Sequence, residues 1–165
     1  DVFFHDHSIF KNGKGRSVVA SDFVYSFNRL LSEDLASSGS WVFNHVDDYY
    51  ADNDSVLVIN LKKQFPPFIS LLSMQYCSVV PHELAEKSEF RSHPIGTGPF
   101  KFQYWKEGVK LVLRKNKNYF EKENGERLPK LDAVAITFIK DKQSEFLSFL
   151  QGEIDFNVLA ERPSA

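Results

Sequence analysis

The chain carries a single cysteine, Cys77, among its 165 residues, so an internal disulfide is excluded and burial and hydrogen bonding must hold the fold. Set between Tyr76 and Val79, that cysteine reads as a small buried hydrophobe. Nowhere do about eighteen apolar residues run together, the length a bilayer-spanning helix requires. No charged-then-apolar segment of signal-peptide type opens the chain, which a longer precursor would explain. Charge of one sign is scarce too. The formal net charge is −2 and the isoelectric point about 6.2, so nothing draws the whole chain toward nucleic acid or an anionic membrane. Catalytic signatures are missing as well: there is no G-x-S-x-G elbow, Cys77 has no base beside it in sequence, and Gly13-Lys14-Gly15 lacks the GK[ST] ending of a phosphate loop. Internal repeats and low-complexity stretches are absent.

What the chain does have is apolar and aromatic. Hydrophobic residues make up 42% of it, with 16 phenylalanines, enough for the core of one domain or of one lobe of a larger protein. Phe23, Val24, Phe27, Leu30 and Leu31 form the core-facing stripe of a helix over 21–31. Val19, just before it, cannot supply a capping oxygen, so either Asp22 alone serves the free N–H groups or the helix starts at Ser21. Segments 46–51 and 56–61 flank Asp52-Asn53-Asp54-Ser55 and predict a β-hairpin. Pro67 sits near the first position of a short helix reaching about residue 73, and a second short helix covers 82–87. Residues 121–130 read as a polar linker without periodicity.

Beyond the linker, Val134, Ile136 and Phe138 alternate as a strand. Asp141 is the N-cap of a helix bearing Phe146, Leu147 and Leu150, Gly152 takes the C′ position, and 154–158 reads as the next strand. Strand, helix and strand in that order predict a βαβ element with parallel pairing and a right-handed crossover. The fold class expected is therefore α+β, a mixed sheet with hairpins plus a C-terminal βαβ element.

The most informative stretch is 93–105, His-Pro-Ile-Gly-Thr-Gly-Pro-Phe-Lys-Phe-Gln-Tyr-Trp. Gly96 and Gly98 can reach positive φ at no steric cost, and Pro99 fixes the backbone where a strand can spare a donor, so a tight turn feeds an alternating aromatic strand. Phe100, Phe102 and Tyr104 would share one face of it. Lys106-Glu107-Gly108 then reads as a hairpin turn, 109–115 as the returning strand, and Asn116-Lys117-Asn118-Tyr119-Phe120 follows. Together with Phe4-His5-Asp6, the run Val19–Leu30 and Leu150-Gln151-Gly152-Glu153-Ile154-Asp155, this ordered set resembles the N-terminal part of extracytoplasmic solute-binding proteins of peptide-type ABC importers, family 5 of the bacterial extracellular solute-binding proteins.

The resemblance implies a fold like that of the type II periplasmic binding proteins, non-catalytic and without a cofactor or metal. It implies a longer, two-lobed protein truncated here at both ends, so the missing remainder of its own chain is an expected partner. Residues 1–130 would belong to the smaller α+β domain and 131–165 to a βαβ piece of the adjoining lobe. An oligopeptide would be held between the lobes and passed to ABC permease subunits in the membrane, although a nickel chelate, haem, sugar or cell-wall peptide stays open as the ligand. The location implied is the periplasm or the outer face of the cell membrane, with a lipid anchor on the full-length protein. Asp22, Gly96, Thr97, Gly98, Pro99, Gly152 and Asp155 are implied as structural signature residues, and Trp41, Phe43 and Asn44 as ligand contacts. The carboxylate that grips a peptide's free amine would lie in the opposite lobe.

A rival reading comes from His5-Asp6-His7, the one dense set of metal-capable residues. On a strand, His5 and His7 would share a face and could serve a small metal-dependent hydrolase, although a third ligand must come from elsewhere. Residues 101–130 hold nine Lys or Arg against four Glu, which reads as a solvated basic face because the cations interleave with strand formers.

Overall fold

A computed structural model describes residues 1–157, apart from the side chains of Ser88 and Glu89. Helix α1 (Ala20–Leu31) forms where the apolar stripe predicts it, and it buries Phe27 and Leu30. Against them lies the hairpin of β1 (Val46–Asn53) and β2 (Val56–Leu61), whose two-residue connection is pinned by Asn53 Oδ1 accepting the Ser55 N–H at 2.9 Å. Phe27, Phe43 and Tyr49 pack ring against ring with centroids 4.6 to 5.5 Å apart, and Val42, Val46, Phe68 and Cys77 complete this first core. Burial raises the Cys77 thiol pKa, in keeping with its role as a hydrophobe.

The short helices α2 (Phe68–Leu72) and α3 (His82–Ala85) are each trimmed relative to expectation, with Pro67 and Pro81 as the residues that precede them. A second, smaller core of Phe4, Phe10, Leu84 and Ile95 joins the N-terminal segment to α3. The N-terminal segment makes a single antiparallel bridge, between Phe3 and Ser17.

Strands β3 (Phe100–Lys106) and β4 (Lys110–Lys115) make the expected hairpin, turned by Gly108 at φ 68°. A bulge between Phe102 and Tyr104 interrupts the alternation, since two residues there oppose one on β4. The supposed linker contains a miniature hairpin, β5 (Lys122–Glu123) with β6 (Glu126–Arg127), whose Asn124-Gly125 turn has both φ angles positive. Asn-Gly is the strongest short-range hairpin signal, and here it was present in the sequence.

The C-terminal βαβ element needs correction in its second strand. Strand β7 (Ala133–Thr137) forms, and along one edge it pairs with β4 antiparallel. Every strand pairing among the described residues is antiparallel. Residues on either side of 130/131 share the sheet β3-β4-β7. Helix α4 (Lys142–Leu150) is capped as predicted, Asp141 Oδ2 accepting the Ser144 N–H at 2.7 Å. Gly152, at φ 74°, donates to Phe149 O while the Glu153 N–H reaches back to Ser148 O, the paired bonds of a Schellman cap. The second strand of the element is not formed over 154–157, where the backbone finds no strand edge among the described residues; position 158 lies outside them. No helix among the described residues is long and apolar enough to cross a membrane.

The turn glycines also differ from expectation. Gly96 and Gly98 do not have positive φ, and a Cβ on either would meet nothing closer than 3.9 Å. Gly15, by contrast, is sterically obligatory, since a Cβ there would lie 1.8 Å from Phe4 O. Accordingly, Gly98→Ala should change stability by less than about 1 kcal/mol in either direction. Gly15→Ala should cost at least about 2 kcal/mol, because the obstruction is backbone and must move. Urea denaturation of the two variants checks the order.

Candidate functional site

Three of the sequence motifs meet at one junction. The turn after Ile95 offers its carbonyls outward: Gly96 O accepts the His5 N–H at 2.8 Å, Gly98 O accepts His5 Nε2–H at 2.9 Å and Asn116 Nδ2 at 3.1 Å, and Pro99 O accepts the Asn116 N–H at 2.8 Å. Thr97 is half-buried between them. Asn116 spends its remaining acceptor on the Asn118 N–H at 3.0 Å. Phe4-His5-Asp6, Gly-Thr-Gly-Pro and Asn116-Lys117-Asn118 thus form a single hydrogen-bonded clasp, and its glycines matter for their carbonyls rather than for left-handed backbone.

This clasp bears on the metal-dependent reading. A carbonyl can only accept, so His5 Nε2 carries the proton, and His7 Nδ1 accepts the Ile9 N–H at 3.2 Å. The residues lie in no paired strand that would align them. His5, His7 and His93 do line a pocket of about 160 Å³, yet no group of three His, Cys, Asp or Glu residues among those described is placed to hold a metal ion. The hydrolase reading has no support in this geometry.

Beside the clasp stands a residue that the sequence did not single out. Arg16 grips the Asp22 carboxylate with both terminal nitrogens, at 2.7 and 2.8 Å, and reaches Glu83 with Nε at 2.6 Å and Nη2 at 3.0 Å. Its guanidinium also lies 5.1 Å from the Phe4 ring centroid. Asp22 is 2% exposed, and it takes the Val19 N–H at 2.9 Å, so it performs alone the half of a capping box that Val19 cannot return. The signal was available: a carboxylate on the first turn of a buried helix needs a cation, and Arg16 stands in the loop leading to it. Hydrogen bonding to the two carboxylates raises the Arg16 pKa, and the same contact lowers that of Glu83.

Of the expected ligand contacts, Trp41 and Phe43 fall on one 3₁₀ turn, Ser40–Phe43, and Asn44 is its C-cap. Its backbone sits hard against Tyr76, because a Cβ on Gly39 would lie 2.3 Å from that ring. The turn sends Val42 and Phe43 into the first core and leaves Trp41 and Asn44 outside. Phe43 is 5% exposed and serves the core, so it presents no face to a solute; Trp41 is 45% exposed. The Asn44 N–H donates to Trp41 O at 3.0 Å, Asn44 O accepts Lys62 Nζ at 3.1 Å, and the next residue, His45, stacks on Phe65 at 4.0 Å. Among the remaining signature positions, Gly152 caps α4 and Asp155 is exposed in the bend beyond it.

Comparison with known proteins gives a consistent picture. The family model described as bacterial extracellular solute-binding proteins, family 5 middle, matches residues 1–165. The oligopeptide-binding protein AppA of Bacillus subtilis (strain 168) is 29% identical over 163 residues, a match covering 94% of this chain and 28% of the relative. Among solved structures, the periplasmic binding protein DppA from Helicobacter pylori in complex with peptide STSA superposes with a TM-score of 0.79 at 26% identity, over 93% of this chain and 32% of that one. NikZ from Campylobacter jejuni in complex with Ni(L-His) gives 0.75 at 26% identity, over 93% and 29%. The chain thus spans under a third of the length of each of these relatives.

Two measurements test the junction. Replacing Arg16 with Met should cost about 3 kcal/mol, since Asp22 would be left buried without its partner. Burial holds the His5 pKa below the ordinary imidazole value of about 6.5, against the smaller upward pull of its bond to Gly98. The unfolded chain therefore takes up a proton more readily, and the His5 contribution to stability is fully present above about pH 6.5 and falls as pH drops below it. His5→Gln, which keeps a donor for Gly98 O, should flatten that part of the curve when urea midpoints are compared between about pH 5 and about pH 7.

Proposed function

Since the chain belongs to family 5 of the bacterial extracellular solute-binding proteins, we propose that it is part of a two-lobed receptor that captures an oligopeptide-type solute and hands it to an ABC permease without chemistry. The observation carrying this reading is the family match over residues 1–165, joined to the peptide-bound structure at a TM-score of 0.79. The junction of His5, Gly98 and Asn116 is structural in this view, a rigid mount for the lobe. Solute contact falls to the Ser40–Phe43 turn, where Trp41 offers an amphipathic ring and Asn44 a carboxamide while Phe43 holds the turn from beneath. Closure of a second lobe over that face supplies the remaining contacts, including the carboxylate for the peptide amine. The protein acts in the periplasm or on the outer face of the cell membrane, tethered there by lipid, with the permease subunits as its membrane partners.

Calorimetric titration of the full-length protein with a library of di- to pentapeptides tests the solute class, and saturable binding is expected. Trp41→Ala should weaken that binding about tenfold with the melting temperature kept. Phe43→Ala should act the other way, costing about 3 kcal/mol of stability through the cavity it leaves. Affinity untouched by Trp41→Ala across the library would remove the contact assignment, and absence of any peptide binding would remove the peptide reading.

A further inference from the structure

Five of the nine cations of the basic stretch are exposed as expected, but the other four converge on one concavity. A cleft of about 620 Å³ gathers Lys101 from β3, Arg114 and Lys115 from β4, Lys117 from the loop beyond, and Lys14 from the N-terminal loop. Two carboxylates share the lining, and Asp6 is already engaged, its Oδ2 receiving Lys14 Nζ at 2.9 Å and its Oδ1 the Gly15 N–H at 3.0 Å. Asp132 is the other. No carboxylate among the described residues lies within ion-pair distance of Lys101, Arg114, Lys115 or Lys117. Five cations against two carboxylates leave the cleft with an excess of positive charge, even though Asp6 also feels Lys101.

We propose that this cleft binds a small, soluble, multivalent phosphate-bearing anion, at a site separate from the solute-binding face. Its volume falls in the range of small-ligand pockets. A concave site of this kind suits a compact anion, whereas a flat lipid surface would reach only its rim. No aromatic ring lines it, so the stacking platform of a single-stranded nucleic-acid site is missing. Arg114 brings a planar fork that can grip two oxygens of one phosphate, and the lysines act as movable point charges around it. The rigid parts of the site come from the clasp: Asn116, buried between Gly98 O and the Asn118 N–H, fixes the backbone from which Lys115 and Lys117 project. None of the lining residues belongs to the Trp41 turn, so the site stands whether or not the solute is a peptide.

The test is calorimetric titration of the full-length protein, prepared without its lipid tether, with tripolyphosphate at about 0.15 M salt, in parallel with flotation of the same preparation on phosphatidylglycerol vesicles. Saturable binding of one tripolyphosphate is expected, weakened at least about tenfold in the double variant Arg114→Gln, Lys117→Gln, with peptide-library binding and melting temperature unchanged. Both substituted residues are exposed, so the variant keeps its fold. Absence of saturable binding, binding that the double variant retains, or capture by the vesicles alone would each overturn the proposal.

Discussion

The fork of Arg16 is the contact on which the arrangement of the N-terminal half depends. One guanidinium satisfies the buried Asp22 at the start of α1, ties Glu83 of α3 to it, and covers the ring of Phe4. These three come from segments far apart in the chain, and without a cation between them two carboxylates would face each other across a partly dry interface. A planar fork with donors on two edges can serve both at once, which the single point charge of a lysine cannot. Through Asp22 the same residue completes the cap of α1, so the helix start, the docking of α3 and the N-terminal segment are fixed by one side chain.

Much of the local structure was legible because it is written in short-range chemistry. The stripe Phe23, Phe27 and Leu30 gave α1, the Asp-Asn-Asp-Ser run gave the first hairpin, and Asp141 and Gly152 marked both ends of α4. The misreadings share a cause. The partner of β7 and the fate of 154–157 are decided by which strand edge lies nearby, and nothing in a local window reports that. A bulge likewise breaks alternation without altering composition, as Gln103 does between Phe102 and Tyr104.

The site was legible in a different measure. Trp41 and Phe43 do lie on one turn with Asn44 as its C-cap, but a turn of this pitch sets successive side chains about 120° apart, so Val42 and Phe43 are claimed by the core while Trp41 and Asn44 are left outside it. Gly96 and Gly98 were singled out for conformational freedom, whereas the structure uses their carbonyls. Arg16 was passed over because Asp22 was read as a helix cap and not as a buried charge in need of a cation, and the basic run around β4 was read as spread out because sequence spacing does not bring Lys14 beside it.

The bond from His5 to Gly98 spans 93 positions of the chain. Helix α1, the hairpin beside it and the hairpin of β3 and β4 can each assemble from neighbours, but His5 must wait until the turn it fastens already exists, because closing so long a loop has an entropic cost that only a finished acceptor offsets. The contact thus depends on a turn built far away in the chain, and because Phe4 beside it lies in the second core, lifting the N-terminal segment would also uncover Phe10, Leu84 and Ile95.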